Sequence, residues 1–187
     1  MRISGGAARG IPLRAPKGVD LRPAMDRLRQ GVFSSLGARV VGARFVDLFA
    51  GTGSYGLEAL SRGAAGGVFV ERHRATVAAL RENLAAVCRS AGRSDEGVRI
   101  AAADTLTWTP AAHEAADLVF IDPPFAEIPT VGARVLERCA AMLRDPASGI
   151  VVFEMPGEVE VSSPGWRCTN RIGQGRGQPT CCFYVRT

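Results

Sequence analysis

Asp122-Pro123-Pro124-Phe125 follows directly on the apolar run Leu118 to Ile121 and joins a carboxylate, two rigid imino acids and an aromatic face. An amino group on an aromatic base has its lone pair delocalised into the ring. It attacks poorly until acceptors hold its N–H groups and favour a pyramidal nitrogen. Asp122 Oδ and the Pro123 carbonyl can be those acceptors, and two prolines fix φ and remove donors, so the carbonyl is held rigidly outward. Phe125 offers a flat surface on which a flipped-out base can stack, a contact worth about 1 to 3 kcal/mol. The plainer alternative is a turn that ends a strand, with Phe125 in the core.

Upstream, Phe45 to Phe49 runs into Gly51-Thr52-Gly53-Ser54-Tyr55-Gly56, formally G-x-G-x-x-G. Glycines there let the backbone pass close to a ligand and turn into a helix whose free N–H groups suit a pyrophosphate or another nucleoside cofactor. Glu71, at the end of the next apolar run, can accept hydrogen bonds from ribose hydroxyls. Asp47 and Asp104 separate the two readings. A carboxylate at Asp47 faces a cationic ligand better than a pyrophosphate, and Asp104 can accept from an adenine amino group. S-adenosylmethionine (SAM), with an ammonium and a sulfonium, fits that charge pattern. Either aspartate could alternatively be a helix cap or loop residue.

These residues need a scaffold that brings strand ends together. Apolar runs at Phe45 to Phe49, Gly67 to Val70, Val98 to Ala102, Leu118 to Ile121 and Ile150 to Phe153 alternate with helix-like stretches. Val77, Leu80, Leu84 and Val87 recur at helical spacing, as do Val131, Val135, Leu136 and Leu143 with its neighbours. That alternation predicts an α/β fold with a mostly parallel, doubly wound sheet. Thr180 to Arg186, close behind the glycine-rich Gly173 to Gly177, predicts a terminal antiparallel hairpin, and the basic stretch Arg171 to Gln178 reads either as an RNA contact or simply as the hairpin's turn. Residues 1–38 differ: Arg2 to Arg14 reads as a short hairpin or mobile arm, and Met25, Leu28, Val32, Phe33 and Leu36 mark an amphipathic helix after Pro23. The expected organisation is therefore a basic arm and helix over 1–38 and a catalytic domain over 39–187.

The 187 residues carry 23 Lys+Arg against 18 Asp+Glu, unevenly placed. Residues 1–44 hold 9 basic and 2 acidic side chains, 45–160 hold 10 and 16, and 161–187 hold 4 and none. An acidic middle between basic ends points to a polyanion held by the ends. Arg22, Arg27 and Arg29 read as phosphate contacts, with Arg2 and Arg9 beside them. The plainer reading is that they solvate the helix, and Arg22 could brace the catalytic loop through a carboxylate. Arginine outnumbers Lys17, the lone lysine, by 22 to one, which genome composition alone could produce. Five scattered cysteines without a C-x-x-C pair and two histidines argue against a disulfide framework and against a metal centre. No apolar run approaches the roughly 18 residues of a membrane span, so a soluble, cytoplasmic protein is expected. No Pro-Cys dipeptide occurs, which disfavours covalent cytosine-C5 chemistry.

The stretch Asp47 to Gly63, Asp122 to Phe125, the Arg2-Ile3-Ser-Gly5-Gly6 and Arg9-Gly10 start, and Leu21-Arg22-Pro23-Ala-Met-Asp26-Arg27-Leu-Arg29 together resemble the bacterial methyltransferases that modify N2 of one guanine in 16S ribosomal RNA. The likeness covers nearly the whole chain. It implies a SAM-dependent, Rossmann-like fold with a mostly parallel seven-stranded sheet, a C-terminal antiparallel hairpin and an N-terminal hairpin-and-helix extension. It also implies action on the small ribosomal subunit or its assembly intermediate, and a monomer is expected. Cofactor roles carry over to Asp47, Gly51, Gly53, Glu71 and Asp104, with Phe49, Arg72 and Thr105 flanking them, and the target base to Asp122, Pro123, Pro124 and Phe125. The chain departs from the usual R-P-T-T-D-R-V-R-E arm at Ala24, Met25 and Gln30, and places Tyr55 where the family has an aliphatic residue. D-P-P-[YFW] turns also serve DNA adenine-N6 and cytosine-N4 methyltransferases, and a non-catalytic assembly factor could keep a nucleotide fold. The absence of a separate base-reading domain speaks against the first, and the intact loop and Asp122 against the second.

Overall fold

The structure is a computed structural model that describes residues 1–16, 23–173 and 175–187, with the backbone alone for 23–25. Lys17 and Arg22 lie outside the described residues, as does the side chain of Met25. Seven strands form one sheet: β1 (Arg44–Leu48), β2 (Gly66–Glu71), β3 (Val98–Ala102), β4 (Leu118–Ile121), β5 (Ile150–Pro156), β6 (Trp166–Ile172) and β7 (Pro179–Arg186). Their order is β3-β2-β1-β4-β5-β7-β6. The first five are mutually parallel, and β7 runs antiparallel to both β5 and β6. The expected hairpin is present, with its second strand threaded between β5 and the first.

Helices cover both faces. Leu28, Val32 and Phe33 of α1 (Pro23–Leu36), Leu57 and Leu60 of α2 (Ser54–Ser61) and Leu80, Leu84 and Val87 of α3 (Arg74–Ala91) pack with Phe45, Phe69 and Phe120 of the sheet. Val135 and Leu136 of α4 (Ile128–Arg138) pack with Val46, Leu48, Val119 and Ile121 on the other. Because strand side chains alternate, the sheet sends Phe45, Asp47, Phe120 and Val152 toward α1 to α3. The apolar spacing expected to carry a helix on to Leu143 ends at Arg138, where a short 3-10 turn, Cys139–Met142, takes over.

Residues 1–13 form a hairpin. Ile3 N–H donates to Ile11 O at 2.9 Å and Gly10 N–H to Ile3 O at 2.9 Å. It docks on α2 through Ala7 N–H to Ser61 O at 2.7 Å, Ala8 N–H to Ser61 Oγ at 2.9 Å and Ser4 N–H to Glu58 Oε2 at 2.8 Å. A Cβ on Gly6, whose φ is +77°, would lie 1.9 Å from Ser61 O, so only glycine allows this approach. Ile3, Ala8 and Leu13 join the α1–α3 core. Among the described residues no helix is long and apolar enough to cross a membrane.

Candidate active site

A cavity of about 430 Å³ opens where β1, β2, β3, β4 and β5 end, the edge at which open α/β sheets take ligands. Phe49 and Gly51 (after β1), Glu71 (the last residue of β2) with Arg72 just beyond it, and Asp104 and Thr105 (after β3) form one side. Asp122, Pro123, Pro124 and Phe125, after β4, form the other, joined by Glu154 of β5 and Pro179 of β7. The loop after β1 is tightly wound. Phe49, expected to end the strand, leaves it with φ +55°, a left-handed conformation that costs a non-glycine residue roughly 1 to 3 kcal/mol. Its N–H donates to Thr105 Oγ1 at 3.4 Å.

Glu71 holds this loop in place. Its Oε2 accepts from Gly51 N–H at 3.0 Å and its Oε1 from His73 N–H at 2.7 Å, and each carboxylate oxygen can accept one more hydrogen bond. Asp104 is exposed at the cavity wall, with Oδ1 taken by Leu106 N–H at 2.8 Å. Arg72 reaches across to Glu127 at 3.2 Å and so joins the two sides at the surface.

Two expected cofactor residues stand behind the cavity wall instead of on it. Asp47, 1 % exposed, turns its carboxylate to the N-terminus of α2, where Oδ2 accepts from Gly56 N–H at 2.9 Å. Burial pushes its pKa up to about 8, opposed by that hydrogen bond, with Glu71 nearby adding to the rise. Gly53 begins α2 with φ +87°, and a Cβ there would meet Leu80 Cδ1 at 2.3 Å. Both shape the loop that the cofactor would contact.

On the opposite side, Asp122 is half-buried with its carboxyl in the cavity. Desolvation, then Glu154 and Asp47, raise its pKa well above the usual carboxylate range, and Arg29 works against them. Glu127 N–H takes the Pro124 carbonyl at 2.8 Å, whereas among the described residues no donor reaches the Pro123 carbonyl. An acceptor left over beside Asp122 is what an amine with two N–H groups requires. Phe125 is half-buried at the cavity.

The sequence did not point to Glu154 as part of the site. It is 2 % exposed, and Tyr55 Oη donates to its Oε2 at 2.5 Å. Burial raises its pKa above the usual carboxylate range, and the Tyr55 hydrogen bond and Arg29 work against that rise. The phenol's one proton being committed, Cys181 Sγ–H, at 3.1 Å, donates to the Tyr55 oxygen. The only signal in the sequence was Tyr55 standing where an aliphatic residue was expected.

Arg29 requires a correction. Expected at the surface as a phosphate contact, it is 1 % exposed, because its guanidinium is used inside: Nε to Glu58 at 3.2 Å, Nη2 to Asp26 at 2.9 Å and Nη2 also to the Arg2 carbonyl. Arg2, Arg9 and Arg27 are exposed.

A family model described as "Conserved hypothetical protein 95" matches residues 1–185. The chain belongs to this family. Among its relatives, "Ribosomal RNA small subunit methyltransferase D" of Escherichia coli (strain K12) is 39% identical over 125 residues, 67% of this chain and 60% of that protein. "Putative rRNA methyltransferase YlbH" of Bacillus subtilis is 31% identical over 167 residues, 86% of this chain and 85% of its own length. A solved structure titled "Putative methyltransferase yhhF from Escherichia coli" superposes with a TM-score of 0.79 at 29% identity, covering 100% of this chain and 97% of that one. The seven-stranded sheet with its antiparallel C-terminal strands is thus the family's Rossmann-like architecture.

Proposed function

We propose that the protein transfers a methyl group from SAM to the exocyclic N2 amine of a guanine in 16S rRNA. The observation that carries this reading is the pairing of the Asp122 carboxyl with the unbonded Pro123 carbonyl, on the wall facing Gly51 and Glu71. Bound SAM supplies an activated methyl group on a sulfonium. Glu71 and Asp104 suit its ribose hydroxyls and adenine amine, and Gly51 lets the backbone come close. Asp122 and Pro123 accept the two N–H groups of the target amine and return lone-pair density to the nitrogen, while Phe125 stacks on the base. Ionisation of Asp122 is opposed by burial, Glu154 and Asp47, and is favoured when a cation shares the cavity. As the nitrogen–carbon bond forms and the carbon–sulfur bond breaks, the nitrogen sheds a proton, for which Asp122 is the first acceptor.

The exposed Arg2, Arg9 and Arg27 suit contacts to rRNA phosphates, within an arm and helix over 1–38 that serve as the RNA-holding part. The name of the Escherichia coli relative supports small-subunit rRNA as substrate; action on an assembly intermediate, by a monomer in the cytoplasm, is part of the same proposal. The test is label transfer from radioactive SAM to small subunits lacking the modification, to naked 16S rRNA and to duplex DNA. Label in the rRNA at one guanine N2 is expected, and Asp122→Ala should lower the rate by about 100-fold or more while SAM still binds. Label in DNA alone, or undiminished transfer by Asp122→Ala, would sink the reading.

A further inference from the structure

An Asp-Pro-Pro-Phe turn supplies acceptors for an amine without naming the base that bears it. Adenine, cytosine and guanine all carry an exocyclic NH2 and differ in the ring nitrogen beside it. Guanine N1 carries a hydrogen, so guanine presents two donors side by side. Adenine N1 and cytosine N3 are bare acceptors. Choosing guanine therefore takes a second acceptor, set beside the one that takes the amine.

The cavity holds such a group. Ile121 pairs with Phe153 across the parallel β4–β5 ladder, so the next residues, Asp122 and Glu154, come side by side. Both line the cavity. Glu154 pairs with Cys181 on β7, and the Tyr55 phenol descends from α2 onto Glu154 Oε2 at 2.5 Å. Tyr55 is itself fixed, stacked on Phe120 with ring centroids 5.4 Å apart at 19°. Among the described residues no hydrogen bond reaches Glu154 Oε1, which leaves that oxygen for a ligand.

From this geometry we propose that Glu154 reads the N1–H of guanine while Asp122 and the Pro123 carbonyl hold its N2 amine, and that Tyr55 is the positioning residue that fixes Glu154. The inference rests on the amine-methylation reading of the cavity and adds the base that it selects. Guanine N1–H favours the ionised Glu154, as do Tyr55 and Arg29; an adenine or cytosine in the same place would set a ring-nitrogen lone pair against that carboxylate, two acceptors with no hydrogen between them.

The experiment uses a 16S rRNA assembled by ligation, with the target guanine either kept or replaced by 2-aminopurine, which retains the C2 amine but has a bare N1. Wild-type protein should prefer guanine by roughly 10- to 100-fold in kcat/KM. In Glu154→Gln the amide can turn its NH2 toward a bare N1, so the preference should fall at least tenfold. The missing O6 of 2-aminopurine affects both proteins alike and so cannot cause this change. Tyr55→Phe should weaken the preference with SAM affinity unchanged, and keeps the test open if Glu154→Gln folds poorly. Equal use of the two bases by wild type, or an unchanged ratio in Glu154→Gln, would overturn the role of Glu154 and leave methylation itself intact. Transfer to neither base would overturn the guanine reading beneath it.

Discussion

The Arg29 guanidinium meets the Glu58 carboxylate at 3.2 Å, and neither side chain reaches solvent. Glu58 also accepts from Ser4 N–H and Ser4 Oγ, each at 2.8 Å, and from Arg62 Nε at 2.7 Å. One carboxylate thus ties the N-terminal hairpin, α1 and α2 together. Removing Arg29 leaves a buried charge short of its partner, a loss of about 3 to 5 kcal/mol. Urea unfolding of Arg29→Ala should show that loss, whereas Arg27→Ala, two residues away and exposed, should stay within about 0.5 kcal/mol of wild type. Equal stability of the two variants would mean that the buried pair contributes nothing.

Asp47 makes stability depend on pH in a defined direction. Its pKa is about 8 in the folded protein, against about 4 in an unfolded chain. Between those values the folded state binds the extra proton, so this residue's contribution to stability falls as pH rises from about 4 to about 8 and then levels. Asp47→Asn keeps an acceptor for Gly56 N–H and has no such titration. The variant should gain stability relative to wild type steadily across that window, as followed by denaturant midpoints at a series of pH values. A constant difference from pH 5 to pH 9 would contradict the assignment.

The two loop glycines should fail differently when replaced by alanine. Gly51 has φ +54° with Phe49 O, at 3.8 Å, the one atom near an added Cβ, so Gly51→Ala carries backbone strain of about 1 to 2 kcal/mol. Gly53 has φ +87° and in addition a clash with Leu80 at 2.3 Å, so Gly53→Ala should be less stable than Gly51→Ala by at least about 1 kcal/mol. Gly51 alone borders the cavity. Its variant should therefore show the larger loss of SAM affinity relative to its loss of stability, measured by calorimetric titration.

If Arg9 and Arg27 touch phosphates, each alanine variant should lower the slope of log K against log salt for 16S rRNA by about 1, with SAM affinity unchanged. Filter binding between low and physiological salt reads this. A loss of affinity that is the same at every salt concentration would assign these arginines to folding.

Much of the site could be read along the chain because each piece follows an apolar run. Asp47, Glu71, Asp104 and Asp122 all lie at or just past the ends of parallel strands, and strand ends are visible in a one-dimensional pattern. Glu154 escaped because β5 runs on to Pro156, beyond the expected stop at Phe153, so its carboxylate stands inside a strand. Its partner Tyr55 is 99 residues away and the thiol of Cys181 126 residues from that tyrosine; only the insertion of β7 beside β5 brings them together. Arg29 was misplaced for a similar reason. Beside Asp26 and Arg27 on an amphipathic helix it looks solvent-facing, and Glu58, which draws it inward, is 29 residues further on.

The hairpin's dependence on α2 sets an order of events during synthesis. Ser4 must wait for Glu58, 54 residues later, before its hydrogen bonds can form, so Ile3, Ala8 and Leu13 emerge from the ribosome before α2 and the sheet that complete their core have been made. At a typical bacterial elongation rate of about 5 to 20 residues per second, that exposure lasts several seconds. During that interval the nascent arm is a target for chaperones and proteases, and it acquires its protection only when the glycine loop and α2 have been made.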